Sequence, residues 1–247
     1  MSIWLVLGLS LLPGLGNLAG ALLAEFGTTR RRLNLALHGA SGIVIAVVAI
    51  EIMPEALENL SGWWIALAFS GGGLAYLATE MLLEKTQSGQ DANTGMWMIY
   101  VAVAVDLSGD GLLVGSGSAV STSLAIILAA GQVLADFPEG YSVIANMREN
   151  NVPRKRRILI SLSFPVYCVI AAFAAFLLLR DAPEAAKYAA LSFVAGLLTV
   201  AAVEDMLNEA HDATTDSRGS VLAFIGGFVL FTLVSAGLDS MLSSNTG

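Results

Sequence analysis

Long apolar stretches recur along the whole chain, and they constrain its fold more than any other feature. Eight such stretches occur in 247 residues, and most are about 20 residues or longer. A helix of that length crosses the roughly 30 Å of hydrocarbon in a bilayer, because it rises about 1.5 Å per residue. The pattern therefore predicts an all-α, polytopic membrane protein with eight transmembrane helices. We expect them at about 3–25, 34–57, 62–84, 96–119, 121–147, 158–180, 186–209 and 220–242.

The composition agrees with a chain that lies almost entirely in lipid. It is 56% hydrophobic and only 13% charged, with a mean hydropathy of +0.74, whereas soluble domains carry about 25% charged residues. The first stretch lacks a preceding basic region and a small-residue cleavage site, so we expect a retained helix rather than a signal peptide. No polar gap is long enough for a soluble domain, and we interpret residues 1–247 as a single transmembrane domain.

The charges are distributed unevenly between spans and loops. The net charge is −8, but much of the acid lies inside the predicted spans and the base lies in the loops, which argues against nucleic-acid binding. With the N-terminus outside, ten Lys and Arg residues fall on the inner side and only Arg180 and Lys187 on the outer side. This bias predicts a multi-pass protein of the plasma membrane, the inner membrane of a prokaryote, with both termini extracytoplasmic.

Short sequence echoes indicate an inverted repeat. Residues 50–53 of helix 2 resemble 203–206 of helix 7, and 69–74 of helix 3 resemble 224–229 of helix 8. Helices 4 and 5 share an acid followed by glycine. Inverted repeats with a site near the bilayer midplane are typical of many transporters. The echoes are short, so chance similarity is the competing explanation.

Four acidic residues lie in the middle of helices 4 and 5. Asp106 and Asp110 are four residues apart and Asp136 and Glu139 are three apart, so each pair shares one helix face. Pro138 lies within the second pair and removes one backbone donor. A carboxylate at this depth costs about 2.5–3.5 kcal/mol, and no Lys or Arg lies in the central part of any span. We therefore expect these carboxyl groups to be protonated, hydrated or bound to a cation.

Further acids extend this group towards both membrane surfaces. Glu51 is predicted in the outer half of helix 2 and Glu204 in the inner half of helix 7. Other titratable residues lie near helix ends, where an interfacial position explains them. These are Glu55, Glu58, Glu84, Glu209, Asp239, His38 and His211.

Three motifs in these helices resemble the ZIP family of divalent-metal transporters. Ala-Asp-Phe-Pro-Glu-Gly at 135–140 is similar to the helix 5 signature of that family, a His- or Gln-containing variant of H-N-x-P-E-G. Residues 106–111 resemble its helix 4 pattern H-N-x-x-[ED]-G, and 51–56 its helix 2 pattern H-x-x-P-E-A. The resemblance implies a single transport domain of eight helices in an inverted repeat of three, two and three. It also implies a metal site between helices 4 and 5 and an acidic residue in helix 7, here Glu204.

The chain departs from the family pattern at several positions, and every imidazole expected at the site is missing. Asp106 stands at the helix 4 His, Leu107 at the following Asn, Ala135 at the leading helix 5 residue, and Glu51 at the helix 2 His. The loop at 86–93 also contains no His. The resemblance implies Zn²⁺, Fe²⁺ or Mn²⁺, whereas oxygen ligands favour hard cations such as Mn²⁺, Mg²⁺ or Ca²⁺. Carboxylates also bind zinc. No organic cofactor is expected.

The leading hypothesis is a secondary transporter of divalent metal ions, with the lipid bilayer and the ions as its partners. Asp106, Asp110, Asp136 and Glu139 would bind the ion, Glu51 would receive it from outside, and Glu204 would release it inward. A proton or cation conduit, or a metal sensor, is the first alternative. A metal-dependent membrane enzyme is a second, but it lacks basic residues near the acids. Glycine-rich faces on helices 3 and 8 either pack within the monomer or form a homodimer.

Overall fold

Eight helices make up the part of the chain that the computed structural model describes, residues 1–27, 29–87, 92–208 and 218–244. The prediction of an all-α protein is confirmed. The end of helix 7 predicted at 209 lies outside the described residues. The helices are α1 Ile3–Ala24, α2 Arg30–Asn59, α3 Gly62–Gln87, α4 Ala92–Val120, α5 Thr122–Glu149, α6 Arg154–Leu179, α7 Glu184–Ala201 with its continuation Ala202–Leu207, and α8 Arg218–Ser244.

Side-chain caps set where α2 and α5 begin. The hydroxyl of Thr29 accepts a hydrogen bond from the Arg32 amide at 3.4 Å, so α2 starts at Arg30 rather than at the predicted 34. Ser121 caps α5 in the same way, through the Leu124 amide at 3.0 Å. Because Ser121 alone separates α4 from α5, the two helices turn back on each other directly.

Within the described residues, six helices are long and apolar enough to span a membrane, namely α1, α2, α3, α6, α7 and α8. The other two, α4 and α5, are 29 and 28 residues long. These are the helices that carry the four central acids.

The helices α4 and α5 are antiparallel, as contacts at separate points along their length show. Asp110 meets Gln132, and one to two turns further along α4 the space beside Gly117 is filled by Leu128, which precedes Gln132. Asp106 likewise groups with Glu139. This arrangement brings the middle of α4 against the middle of α5.

The helices form two groups of four. α1, α4, α5 and α6 pack mainly on one another, as do α2, α3, α7 and α8. The groups meet where α5 contacts α2 and α8, and where α4 contacts α7. α5 contributes Leu128 and Ala135 to the largest buried cluster and Tyr141 and Ile144 to the second. Its acidic segment therefore lies between the two cores.

Glycines set the close approach of helices in both halves of the chain. Among the glycines of α2, α3, α7 and α8, four are placed so that a Cβ atom would overlap a backbone oxygen of the neighbouring helix, and no larger residue fits there without a shift. The pairs are Gly72 with Phe193 and Gly196 with Phe69 between α3 and α7, and Gly42 with Phe224 and Gly227 with Gly39 between α2 and α8. Part of the glycine-rich faces of helices 3 and 8 thus packs within the monomer.

Candidate metal centre

Three of the four predicted ligands come together between α4 and α5. One carboxylate oxygen from each of Asp106, Asp110 and Glu139 lies within 4.8 Å of the other two. The first two residues are one turn apart on α4, and the antiparallel packing of α5 presents Glu139 to the same point. A single cation can contact oxygens with this spacing.

Asp136 lies beside this group without being one of its three members. Its side chain is buried, at 1% exposure, and it is close enough to Asp106 for an electrostatic interaction. Its Oδ2 atom has no hydrogen-bond partner among the described residues. The sequence spacing alone treated all four acids alike, and the structure separates Asp136 from the other three.

Three buried carboxylate oxygens at the site have no hydrogen-bond donor among the described residues. Oδ2 of Asp110, Oδ2 of Asp136 and Oε2 of Glu139 are all inaccessible and have no hydrogen-bond partner within the described residues. No described Lys or Arg forms an ion pair with any of the four acids. Burial of an unpaired carboxylate is strongly unfavourable. The arrangement therefore needs bound positive charge, either a metal ion or protons.

Pro138 adds a backbone oxygen to this region. The helix α5 continues through it from Thr122 to Glu149. Because proline has no amide hydrogen, the carbonyl of Leu134, four residues earlier, loses its usual helical donor. That carbonyl belongs to the same segment of α5 as Asp136 and Glu139.

Two amide side chains near the acids were missed by the sequence reasoning. Gln132 is 1% exposed, and its Nε2 donates a hydrogen bond to Oδ1 of Asp110, while its Oε1 has no partner among the described residues. Asn17 of α1 is fully buried, and neither of its amide atoms has such a partner. The available signal was a polar residue in an apolar run, and for Gln132 also its position one turn before Asp136.

The glycine after each acid lets a neighbouring helix approach the site. A Cβ at Gly140, next to Glu139, would overlap the Asn17 carbonyl of α1. A Cβ at Gly111, next to Asp110, would overlap the Cys168 carbonyl of α6. These contacts fix the rotation of α5 and α4, and hence the directions of their acidic side chains.

Glu51 and Glu204 both lie in π-helical turns, Val47–Ile52 of α2 and Ala202–Leu207 of α7. Such turns occur frequently at functional sites. Glu51 is half-buried and accepts a hydrogen bond from the Ser235 hydroxyl of α8. Glu204 is exposed, and Asn208 donates to its Oε2 at 3.1 Å. Neither belongs to the group formed by Asp106, Asp110 and Glu139.

The residues expected at the interface divide between two outcomes. Glu55, Glu58 and Asp239 are exposed near the ends of α2 and α8. His38 is instead buried, at 5% exposure, with its Nδ1 atom 2.9 Å from the Asn34 carbonyl. His38 therefore packs inside the helix bundle, near the start of α2. Glu209 and His211 lie outside the described residues, as does the side chain of Glu84.

A buried ion pair joins the end of α1 to the start of α6, away from the acids. Glu25 accepts hydrogen bonds from Nε and Nη2 of Arg157 at 2.6 and 2.7 Å, and Arg154 approaches it at 3.5 Å. The side chains of Glu25 and Arg157 are 7% and 11% exposed. The hydrogen bonds and charge of Arg157 lower the pKa of Glu25 below its usual value. Arg148 of α5 also donates to the Ala24 carbonyl, so three helix ends are held together.

The fold and the site describe a multi-pass helical membrane protein with a partly buried group of carboxylates. No protein-family model matches the chain. A curated protein, the zinc transporter ZupT of Lysinibacillus sphaericus (strain C3-41), is 34% identical to it over 86 residues. The aligned segment covers 31% of this chain and 32% of the relative, about a third of that protein's length.

Proposed function

We propose that the chain is a secondary transporter that moves divalent metal cations across the membrane. The observation that carries this proposal is the convergence of Asp106, Asp110 and Glu139, whose ligand oxygens lie within 4.8 Å of one another. A divalent ion satisfies several buried acceptors at once. The partial similarity to a protein named as a zinc transporter supports the same class.

The candidate metal ligands in the group of three carboxylates are all oxygen atoms, and this bears on the choice of metal. No described His or Cys belongs to the group of three carboxylates. Oxygen ligands suit Mn²⁺, Mg²⁺ and Ca²⁺, while imidazole and thiolate favour zinc and later transition metals. We infer a preference for the harder cations, with Mn²⁺ first. The name of the relative makes Zn²⁺ the main competitor and Fe²⁺ the third candidate for the assays.

In the proposed transport path Asp136 helps the three converging carboxylates to bind the ion. The two acids in π-helical turns lie at the outer and inner ends of this path. Glu51 receives the ion from the outer side, and Glu204 releases it to the inner side. The exposure of Glu204 suits an exchange with water. The half-buried position of Glu51 beside Ser235 suits a step between solvent and the central site.

We infer eight membrane crossings built as an inverted repeat. The packing partners support this, because exchanging α1 with α6, α2 with α7, α3 with α8 and α4 with α5 maps the main helix contacts onto one another. The glycine contacts follow the same exchange, since Gly72 and Gly227 occupy matching places in α3 and α8. Alternating access then consists of one group of four helices moving against the other around the site.

The proposed orientation places both termini outside the plasma membrane. It rests on the distribution of Lys and Arg between the loops. The ion pair of Glu25 with Arg157 and the link of Arg148 to Ala24 then lie at the cytoplasmic end. Single-cysteine labelling from either side of the membrane tests this orientation directly.

Metal uptake into liposomes tests the function. Purified protein is reconstituted, and entry of Mn²⁺ and Zn²⁺ is followed with an internal metal-sensitive dye. Asp136→Asn and Glu139→Gln remove ligand charge at the site with little change of shape, and each is expected to slow uptake at least about tenfold. Glu58→Gln, an exposed acid at the end of α2, is the matched control. Unchanged uptake in both site variants would remove the assignment.

The same assay separates transport from simple conduction. Buried carboxylates without donors can also pass protons, which keeps a cation conduit as the second candidate. A transporter saturates with metal concentration because each cycle moves a bound ion. A conduit gives a voltage-driven current that does not saturate.

A further inference from the structure

Gln132 is a neutral side chain placed among the acids of α5. It lies one turn before Asp136 and two turns before Glu139, so the three residues form a column on one helix face. Its side chain is 1% exposed. The column faces α4, because Nε2 of Gln132 donates to Oδ1 of Asp110.

This hydrogen bond fixes the orientation of both partners. The amide nitrogen must face the carboxylate, since a carboxylate oxygen accepts and an amide oxygen cannot donate. One oxygen of each partner takes no part in this hydrogen bond, namely Oδ2 of Asp110 and Oε1 of Gln132. Both oxygens are buried, and neither has a hydrogen-bond partner among the described residues. These two oxygens cannot form a hydrogen bond with each other, because both are acceptors.

A buried amide oxygen without a hydrogen-bond donor carries an unfavourable desolvation penalty. A leucine at this position would avoid the penalty. The ligand that removes the penalty must be electropositive, and the cation proposed at Asp106, Asp110 and Glu139 is one. An amide oxygen also adds a ligand without adding a fourth negative charge.

We propose that Gln132 is a metal-coordinating and selectivity-determining residue of the site. Its nitrogen holds Asp110 so that Oδ2 is the atom offered to the ion, and its Oε1 binds the same ion. Gln132 thereby adds a neutral oxygen to the coordination shell. Because Zn²⁺ usually takes only four ligands, the additional oxygen ligand favours Mn²⁺ over Zn²⁺ as the substrate. This inference rests on the proposed metal-transport function.

The test is equilibrium binding to the full chain in lipid nanodiscs. Mn²⁺ is titrated and followed by its electron paramagnetic resonance signal, and Zn²⁺ is added as a competitor. Gln132→Leu is expected to lower Mn²⁺ affinity about 10–100-fold and to lower Zn²⁺ affinity less, so that the Zn²⁺ to Mn²⁺ affinity ratio rises. A purely structural role would weaken both ions equally. Ser118→Ala, which removes a buried hydrogen bond elsewhere on α4, is the control and leaves both affinities unchanged.

A second measurement does not depend on the leucine variant folding. Gln132→Asn keeps the amide and withdraws it by one methylene, and the same rise in the affinity ratio is expected. Gln132 is also one of only three glutamines in the chain. Isotopic labelling of the glutamine side-chain carbonyl therefore allows infrared detection of a shift on Mn²⁺ binding, which Gln132→Asn abolishes.

The outcomes distinguish this inference from the function on which it rests. If wild-type protein binds Mn²⁺ and the folded variants keep both the affinity and the ratio, Gln132 is not a ligand and the transporter assignment stands. If the wild-type protein binds neither Mn²⁺ nor Zn²⁺, both proposals fall.

Discussion

Replacing Glu25 by glutamine probes the ion pair that joins α1 to α6. Glu25 follows the last residue of α1, where a negative charge interacts unfavourably with the negative end of the helix dipole. Its position is stable because Arg157 contacts both carboxylate oxygens and Arg154 lies nearby. Glu25→Gln leaves the buried guanidinium of Arg157 without its counter-charge.

The expected loss follows from the burial of the pair. Removing one partner of a buried ion pair costs about 3–5 kcal/mol, and the side chains of Glu25 and Arg157 are only 7% and 11% exposed. Glutamine still accepts one hydrogen bond, so we expect about 3 kcal/mol. For a chain of this length that corresponds to a fall of roughly 6–12 °C in the unfolding midpoint.

The chain supplies a matched control. Glu149 pairs with Arg30 at 3.4 Å, with side chains 62% and 65% exposed. An exposed pair of this kind contributes about 0–1 kcal/mol, so Glu149→Gln should lower the midpoint by less than about 4 °C. Thermal unfolding in detergent, followed by circular dichroism at pH 7, compares the two variants. Equal shifts would refute the argument from burial.

Acid should remove the difference between wild type and Glu25→Gln. Because Arg157 lowers the pKa of folded Glu25, the carboxylate stabilises the fold at pH values above the unfolded pKa of about 4.3. That contribution is lost as the pH falls through the folded pKa. A difference in midpoint that stays constant well below pH 4 would contradict this linkage.

Three further predictions concern the site. Gly140→Ala should lower both the unfolding midpoint and Mn²⁺ affinity, because its Cβ overlaps the Asn17 carbonyl, whereas Gly8→Ala on α1 meets open space and should change neither; equal effects would contradict the close-packing argument. Glu51→Gln and Glu204→Gln should slow uptake but leave equilibrium Mn²⁺ binding unchanged, since neither belongs to the three converging carboxylates; a large loss of binding would place them in the site. Mn²⁺ affinity in a titration from pH 8 to 5 should fall with acidity, because protons compete for the same oxygens, and a flat profile would contradict carboxylate coordination.

The number and length of the helices were predictable because hydropathy is a local property of the chain. Each apolar stretch specifies its own helix wherever its neighbours lie. The exact beginnings were less predictable, and α2 starts earlier than expected because the Thr29 cap brings Arg30 into the helix. The first turn of α2 contains charged arginines, so a helix boundary placed by apolar residues alone falls after this turn.

The candidate ligands were predictable as a set but not as a geometry. Spacing of four and three residues places Asp106 with Asp110, and Asp136 with Glu139, on common helix faces. It says nothing about which face of α4 meets which face of α5. A rotation of one residue turns a helix by about 100°, so the glycine contacts of α4 and α5 decide which acids meet.

Sequence alone therefore determined that this is an all-helical chain with acids in the middle of its fourth and fifth helices. Tertiary structure decided that Asp106, Asp110 and Glu139 converge while Asp136 lies beside them. It also brought Gln132 to Asp110 and buried His38. The physical reason is that helix formation depends on neighbours along the chain, whereas the partner of each polar side chain depends on how separate helices pack against one another.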